Sequence, residues 1–297
     1  RPRDWSSDVC SSDLGCNLIL TNGGQIRDYW GVGKASRPML PLIAVPTTAG
    51  TGSECQSAAL IADEGSHQKM ACLDPKAAAR IAILDPELTV SQPTRVTSVT
   101  GVDAIAHALE SAVTTRRSAL SWTYSQHAFV LCAGSLPLVL ASPQNLEWRG
   151  RMLLGAALAG LAIENSMLGA AHAAANPLTA HFNIVHGTAV GLMLPHVVRY
   201  NTLEPGVRGV YAALATKIGL GDGKSAAERV DRLVQHIEEV LNMAGIPRSL
   251  ADAGGDPALI PTLAAEATRQ WTAGVNARPI DATGFEALYR SAFVARA

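Results

Sequence analysis

GVDAIAHALE (Gly101–Glu110) and LGAAHAAANPLTAHFNIVHG (Leu168–Gly187) are the two stretches on which the reading of this chain turns. In the first, Asp103 and His107 stand at i and i+4. On a helix such side chains share one face, one turn apart, and both can address one ion. The second stretch supplies His172 and His186. Asn176-Pro177 is expected to end or bend the helix carrying His172, and His186-Gly187 to open the next one. Two helix-end histidines joined by a short connection can converge where two mid-helix ones could not. One carboxylate and three imidazoles suit a borderline divalent ion such as Fe²⁺ or Zn²⁺, and suit Mg²⁺ or Ca²⁺ poorly. Taken singly, each piece also has an ordinary structural reading. Asp-x3-His can be a surface polar pair, His172 a satisfied core imidazole, and His186 a helix-opening residue. His67, His127 and His196 have no partner pattern and read as structural or exposed.

Outward from these stretches, helical spacing in Ala/Leu-rich sequence predicts helices near 97–114, 118–142, 146–175, 186–200, 207–218, 225–244, 258–272 and 283–294. Gly245 is a credible helix stop. Upstream the pattern is α/β. LPLIAVP (Leu40–Pro46) is a β-branched run ending in the Thr/Gly loop PTTAGTGSE, and KMACLD (Lys69–Asp74) and ARIAILDP (Ala79–Pro86) read as two further strands. The fold class expected is an α/β N-terminal part, about 15–93, followed by an all-α domain, 94–297.

The 297 residues are 48% hydrophobic and 16% charged, enough apolar material for one large or two ordinary domains. A net charge of −1 leaves no footprint for nucleic acid. No uninterrupted apolar run of about 18 residues suggests a membrane span. Cys10, Cys16, Cys55, Cys72 and Cys132 show no framework spacing and fit buried thiols in a reducing cytosol. The expected localisation is cytoplasmic.

The first fourteen residues, RPRDWSSDVCSSDL, show neither amphipathic period nor signal-peptide layout. Read back through the genetic code, DWSSDVCSSDL looks like the translated end of a sequencing adapter. Residues 1–14 are therefore set aside as a non-native or disordered tail, and native sequence is expected upstream of Gly15.

PTTAGTGSE, GVDAIAHALE, the LGAAH…NPL…VHG stretch and LMLPHVVRYN together resemble the iron-containing (group III) alcohol dehydrogenases, with their dehydroquinate synthase-like fold. The resemblance runs from NGGQIRDYWG at Asn22 to NARPID at Asn276–Asp281. It implies a dinucleotide-binding α/β domain, of which 15–93 is a remnant, and a helical metal-binding domain with the active site between them. It places metal ligands on Asp103, His107, His172 and His186, and NAD or NADP contacts on Thr47, Thr48, Thr51 and Lys69. Read from residues alone, the Thr-rich loop is an ordinary strand-to-helix turn. The implied reaction is NAD(P)-dependent alcohol oxidation or aldehyde reduction, with the metal as Lewis acid on the substrate oxygen and hydride passing to nicotinamide. A small alcohol or aldehyde is the expected substrate and a homodimer the expected full-length form.

Two departures stand out. The family's Gly-Gly-Gly-Ser phosphate loop is absent and is expected just upstream of Gly15. The histidine that the family commonly carries four residues after the one matching His172 is Asn176 here, which cannot titrate, so His181 is considered as a substitute proton relay. Without the missing strands, the chain is expected to expose apolar sheet surface and to bind cofactor weakly. Two other readings are a metal-dependent lyase of the dehydroquinate synthase-like type and a non-catalytic metal-binding remnant.

Overall fold

Short strands and turns occupy the first third of the chain and helices the rest in the computed structural model, which describes residues 9–63 and 69–294. The first element, α1 (Val9–Asn22), begins inside the segment set aside as a tail. Leu14 and Leu18, one turn apart, are each 1% exposed in a small core with Tyr29, Ala59, Met70 and Cys72. Residues 9–14 thus belong to a helix and not to a disordered tail, and residues 1–8 lie outside the described part.

Five strands follow: β1 (Gly31–Val32), β2 (Ile43–Ala44), β3 (Ala58–Ala62), β4 (Lys69–Leu73) and β5 (Ile81–Ala82). They form two sheets. β4 pairs in parallel with β1 and antiparallel with β3, with Ala59 opposite Cys72 and Ile61 opposite Met70. β2 pairs in parallel with β5, Ile43 opposite Ile81. Each of the three expected strand runs contains an observed strand, much shortened in β2 and β5. The expectation missed β3, because the alanine-rich Ala58–Ala62 carries little strand signature and is held by its pairing with β4.

Nine helices complete the described chain: α2 (Thr94–Ser111), α3 (Ala119–Ala141), α4 (Leu146–Glu164), α5 (Ala170–Phe182), α6 (His186–Asn201), α7 (Pro205–Lys217), α8 (Ala226–Met243), α9 (Ile260–Thr268) and α10 (Ala282–Phe293). α2 is the axis of this part. It packs against α3, α4 and α6 and is buried from Gly101 to Ser111 without a break. α3 has the length and mean hydropathy of a bilayer-spanning helix, although Ser121, Thr123, Ser125, Gln126 and His127 interrupt its apolar run as expected from the sequence. Here it serves as a core helix, with Phe129, Cys132 and Leu136 fully buried. Cys72 and Cys132 are buried thiols as expected, whereas Cys16 is exposed.

Two helix expectations need correction. The single helix expected over 146–175 is broken between Glu164 and Ala170, where Gly169 caps α5. α5 then runs through Asn176-Pro177 to Phe182 and stops at Asn183, whose φ of 56° is left-handed. Pro177 costs α5 one backbone hydrogen bond. Burial of its turn against α6, α9 and Tyr289, whose hydroxyl donates to the Ala174 carbonyl, outweighs that local cost.

The two parts meet through polar and backbone contacts. Ser57 donates its N–H and hydroxyl to the Glu164 carboxylate at 3.0 and 2.5 Å. Gly52, at φ 63°, lies so close to Gly160 of α4 that a Cβ on Gly160 would stand 2.1 Å from the Gly52 carbonyl oxygen. The Thr-rich loop is thereby seated on the helical part.

Candidate metal centre

A helix buried on all sides should be apolar on all sides. α2 instead carries Asp103, His107 and Glu110, 5%, 5% and 2% exposed, on one face. Such burial rules out a surface polar pair, and it is costly unless other groups compensate the charge. Compensation arrives from the first turns of two other helices. His172 is the third residue of α5 and His186 the first of α6.

Glycines set both approaches. A Cβ at Gly187 would stand 2.2 Å from the Val99 carbonyl oxygen, so only glycine lets the α6 N-terminus reach α2 there. Val99 and Asp103 share a face of α2 one turn apart, so this contact carries His186 to Asp103. A Cβ at Gly169 would meet Asn276 Oδ1 at 2.8 Å and Glu110 Oε1 at 3.1 Å, which fixes the start of α5 in the same way.

The result is three imidazoles turned toward one carboxylate. Nε2 of His107 lies 3.5 Å from Asp103 Oδ2, and Nε2 of His172 and His186 lie 3.3 and 4.0 Å from Asp103 Oδ1. The rings of His107 and His172 are stacked at 4.8 Å, and those of His172 and His186 stand at 5.4 Å. One ligand atom from each of Asp103, His107 and His172 falls within 4.8 Å of the others. Nitrogen and oxygen ligands about 2.1 Å from one ion stand about 3.4 Å apart in a tetrahedron. The separations of His107 and His172 from Asp103, 3.5 and 3.3 Å, match that spacing, and His186 at 4.0 Å stands slightly beyond it. Asp103 Oδ1 and His172 Nε2 are buried, face each other, and make no hydrogen bond of proper geometry. The residues present therefore fit a divalent cation.

Electrostatics agree. Burial opposes charge on Asp103, yet His107, His172 and His186 hold its carboxyl well below the ordinary carboxylate range. Burial likewise opposes charge on His172, but Glu110 and the contact with Asp103 push its pKa up to about 9. Negative charge in this pocket demands a positive partner.

Two residues not singled out from sequence complete the site. Glu110 accepts from the Ala171 N–H at 2.7 Å and faces His172 Nδ1 at 2.5 Å. Asn276 accepts from the Ala170 N–H at 3.1 Å and donates to Asn201 Oδ1 at 2.8 Å. The spacing Asp103, His107, Glu110 (i, i+4, i+7) is a helical stripe that could have revealed Glu110. Asn276 carries no comparable signal.

Other expected residues are placed differently. His186 and His172 are indeed at helix ends, but α5 itself, and not a short connection, separates them. Asn176 lies one turn beyond His172 and donates its amide to Gln270 at 3.0 Å. His181 is nine residues from His172 on α5, about 13.5 Å of helix rise. It pairs with Glu266 at 3.0 Å, at the helix end away from the site, so the geometry does not support it as a relay. Thr48 borders a small, partly open pocket with Thr97, Thr100 and Arg149. Thr51 uses its hydroxyl on Ser53 at 3.0 Å, and Thr47 is exposed. Lys69 opens β4, and its side chain lies outside the described part.

Comparison with known proteins gives a consistent picture. Residues 15–86 match the model for iron-containing alcohol dehydrogenase, and residues 97–293 match the model for the C-terminal part of the Fe-containing alcohol dehydrogenase family. The chain is 34% identical over 238 residues to an NAD-dependent methanol dehydrogenase of Bacillus methanolicus, covering 80% of this chain and 62% of that protein. It is 32% identical over 279 residues to the lactaldehyde reductase of Escherichia coli K12, covering 93% and 72%. The crystal structure of a 1,3-propanediol oxidoreductase superposes with a TM-score of 0.91 at 29% identity, covering 96% of this chain and 74% of that one. The chain thus spans less than two thirds of the first of these relatives.

Proposed function

The chain belongs to the iron-containing alcohol dehydrogenase family, and from that premise we propose that it carries the metal centre of an NAD(P)-dependent alcohol dehydrogenase or aldehyde reductase. The observation that carries this reading is the convergence of Asp103, His107 and His172 within ligand distance of one another in the buried interior, with His186 Nε2 4.0 Å from Asp103 Oδ1.

In this reading the three Nε2 atoms and an Asp103 oxygen hold one Fe²⁺ or Zn²⁺. When bound, the cation supplies Lewis-acid polarisation of a substrate oxygen and the nicotinamide cofactor supplies a hydride acceptor. The chain's own residues do the rest. Asp103 offsets part of the positive charge, and its burial with His107 and His172 keeps water from competing. Alanines on either side of His172 leave small apolar walls, which suit a neutral short alcohol or aldehyde. Asn176, its amide committed to Gln270, holds no titrating proton, so a substrate hydroxyl proton leaves through water. The Thr47, Thr48 and Thr51 loop is assigned to the nicotinamide cofactor, with Lys69 as a further contact. Its seat on α4, beside the N-terminal half of α2, supports that assignment. NAD is favoured over NADP by the NAD-dependent relative. Homodimerisation belongs to the same proposal.

The test is direct. The full-length protein, carrying the sequence expected upstream of Gly15, is mixed with Fe²⁺ or Zn²⁺, NADH and short aldehydes while nicotinamide absorbance is followed. Metal binding with NADH oxidation supports the reading, and metal binding without any redox change rejects the dehydrogenase assignment. Replacing His186 with Ala should abolish bound metal and turnover together; full metal stoichiometry in that variant would sink the ligand assignment.

A further inference from the structure

We propose that Glu110 is a positioning residue that fixes His172 as a metal ligand by holding its imidazole in a single tautomer. The inference rests on reading Asp103, His107, His172 and His186 as a divalent-metal centre, and it concerns how this chain prepares one of those ligands.

The argument is one of donor and acceptor accounting. Glu110 is 2% exposed, two turns along α2 from Asp103 on the same face. One carboxylate oxygen accepts the Ala171 N–H at 2.7 Å. A backbone N–H can only donate, so that oxygen is committed. The other oxygen lies 2.5 Å from His172 Nδ1. A carboxylate offers no proton, so the hydrogen in this contact belongs to Nδ1. A neutral imidazole with its proton on Nδ1 has a bare Nε2. That atom is buried, makes no hydrogen bond, and points at Asp103 from 3.3 Å.

The scaffold keeps this pairing in place. Asn276 accepts the neighbouring Ala170 N–H at 3.1 Å and donates to Asn201 and to the Arg278 carbonyl, each at 2.8 Å. The first turn of α5 is therefore pinned at two successive amides, which fixes the backbone from which the His172 ring reaches Glu110. Glu110 also adds a second negative charge to the pocket, so the site is charge-matched to a divalent ion.

A purely structural role makes a different prediction. If Glu110 only capped α5, glutamine would replace it without consequence for metal, because its amide oxygen still accepts the Ala171 N–H. Under the positioning role, Glu110→Gln presents an NH₂ donor to Nδ1, driving the ring proton to Nε2, the atom that must bind the ion.

The experiment compares wild type and Glu110→Gln. Zn²⁺ affinity is measured by competition with a chromophoric chelator, fold by circular dichroism and thermal unfolding, and histidine tautomers by ¹⁵N NMR of the zinc-loaded protein. We expect Glu110→Gln to fold and to bind Zn²⁺ roughly 10–100-fold more weakly. In zinc-loaded wild type the His172 proton should sit on Nδ1. Zinc affinity within twofold of wild type, or a bare Nδ1 on His172, overturns the inference. Should the variant fail to fold, the wild-type tautomer decides alone. Wild type that binds no zinc overturns the metal-centre reading itself, whereas an unaffected Glu110→Gln overturns only the role of Glu110.

Discussion

The helical part and the α/β part of this chain bury their apolar residues to very different degrees. From α2 to α10 one continuous core runs through Val102, Leu109, Phe129, Leu136, Met193, Leu233 and Phe285, all close to fully buried. The α/β part has a core of eight residues around Leu14, Leu18 and Met70. Its two-stranded parallel sheet and the residue that follows each strand leave Ile43 56%, Ile81 52%, Ile83 49% and Val45 42% exposed. A helix satisfies its own backbone and needs only one face covered, so a set of helices can close a core among themselves. A parallel strand needs a neighbour on each edge and cover on both faces. The exposed apolar sheet surface expected from the sequence is therefore present, and the candidate metal ligands sit wholly in the part whose core is closed.

Core truncation should break this comparison if it is wrong, and it carries the largest effect. Phe129→Ala, in the closed core, should destabilise by about 3–5 kcal/mol in thermal or denaturant unfolding. Leu18→Ala should loosen the α/β part while leaving Zn²⁺ affinity unchanged. Loss of zinc binding in Leu18→Ala would mean that the two parts are one cooperative unit.

A smaller effect sharpens the account of how the ligands converge. Gly187→Ala places a methyl group against the Val99 carbonyl and should cost about 1–3 kcal/mol, with a clear loss of zinc affinity as His186 shifts. Gly134→Ala, in α3 with open space around it, is the control. It should leave zinc affinity unaltered and stabilise the helix by up to about 1 kcal/mol. Equal zinc affinities in the two variants would refute the idea that the α2–α6 approach positions the site.

A further effect is a slope with pH. The pKa of His172 is raised in the folded protein to about 9, so its contribution to stability is complete below the unfolded value near 6.5 and is lost as pH rises toward 9. Metal-free protein should thus melt at progressively lower temperature between about pH 6.5 and 9. Zinc, which must displace that proton, should be bound more tightly as pH rises over the same window. A melting temperature that climbs over this interval without metal would contradict the charge balance described for Asp103, Glu110 and His172.

The sequence by itself determined the parts whose physics is local. Helical spacing around Asp103 and His107 placed them on one face, and the run of Ala/Leu-rich segments predicted the helical half. The four proposed ligand residues were singled out by spacing together with family resemblance. Tertiary structure alone decided the rest. α5 survives Pro177 because burial of its turn outweighs one lost backbone bond, and the break falls at 165–169 because Gly169 must fit between Glu110 and Asn276. His181 is set aside because a continuous α5 carries it away from the candidate metal ligands to Glu266. The pairing of Glu110 with His172 spans 62 positions and that of Asn276 with Ala170 spans 106. Periodicity reports only which residues share a face. Which faces meet is fixed by long-range packing, here by glycines that let backbones come within contact of one another.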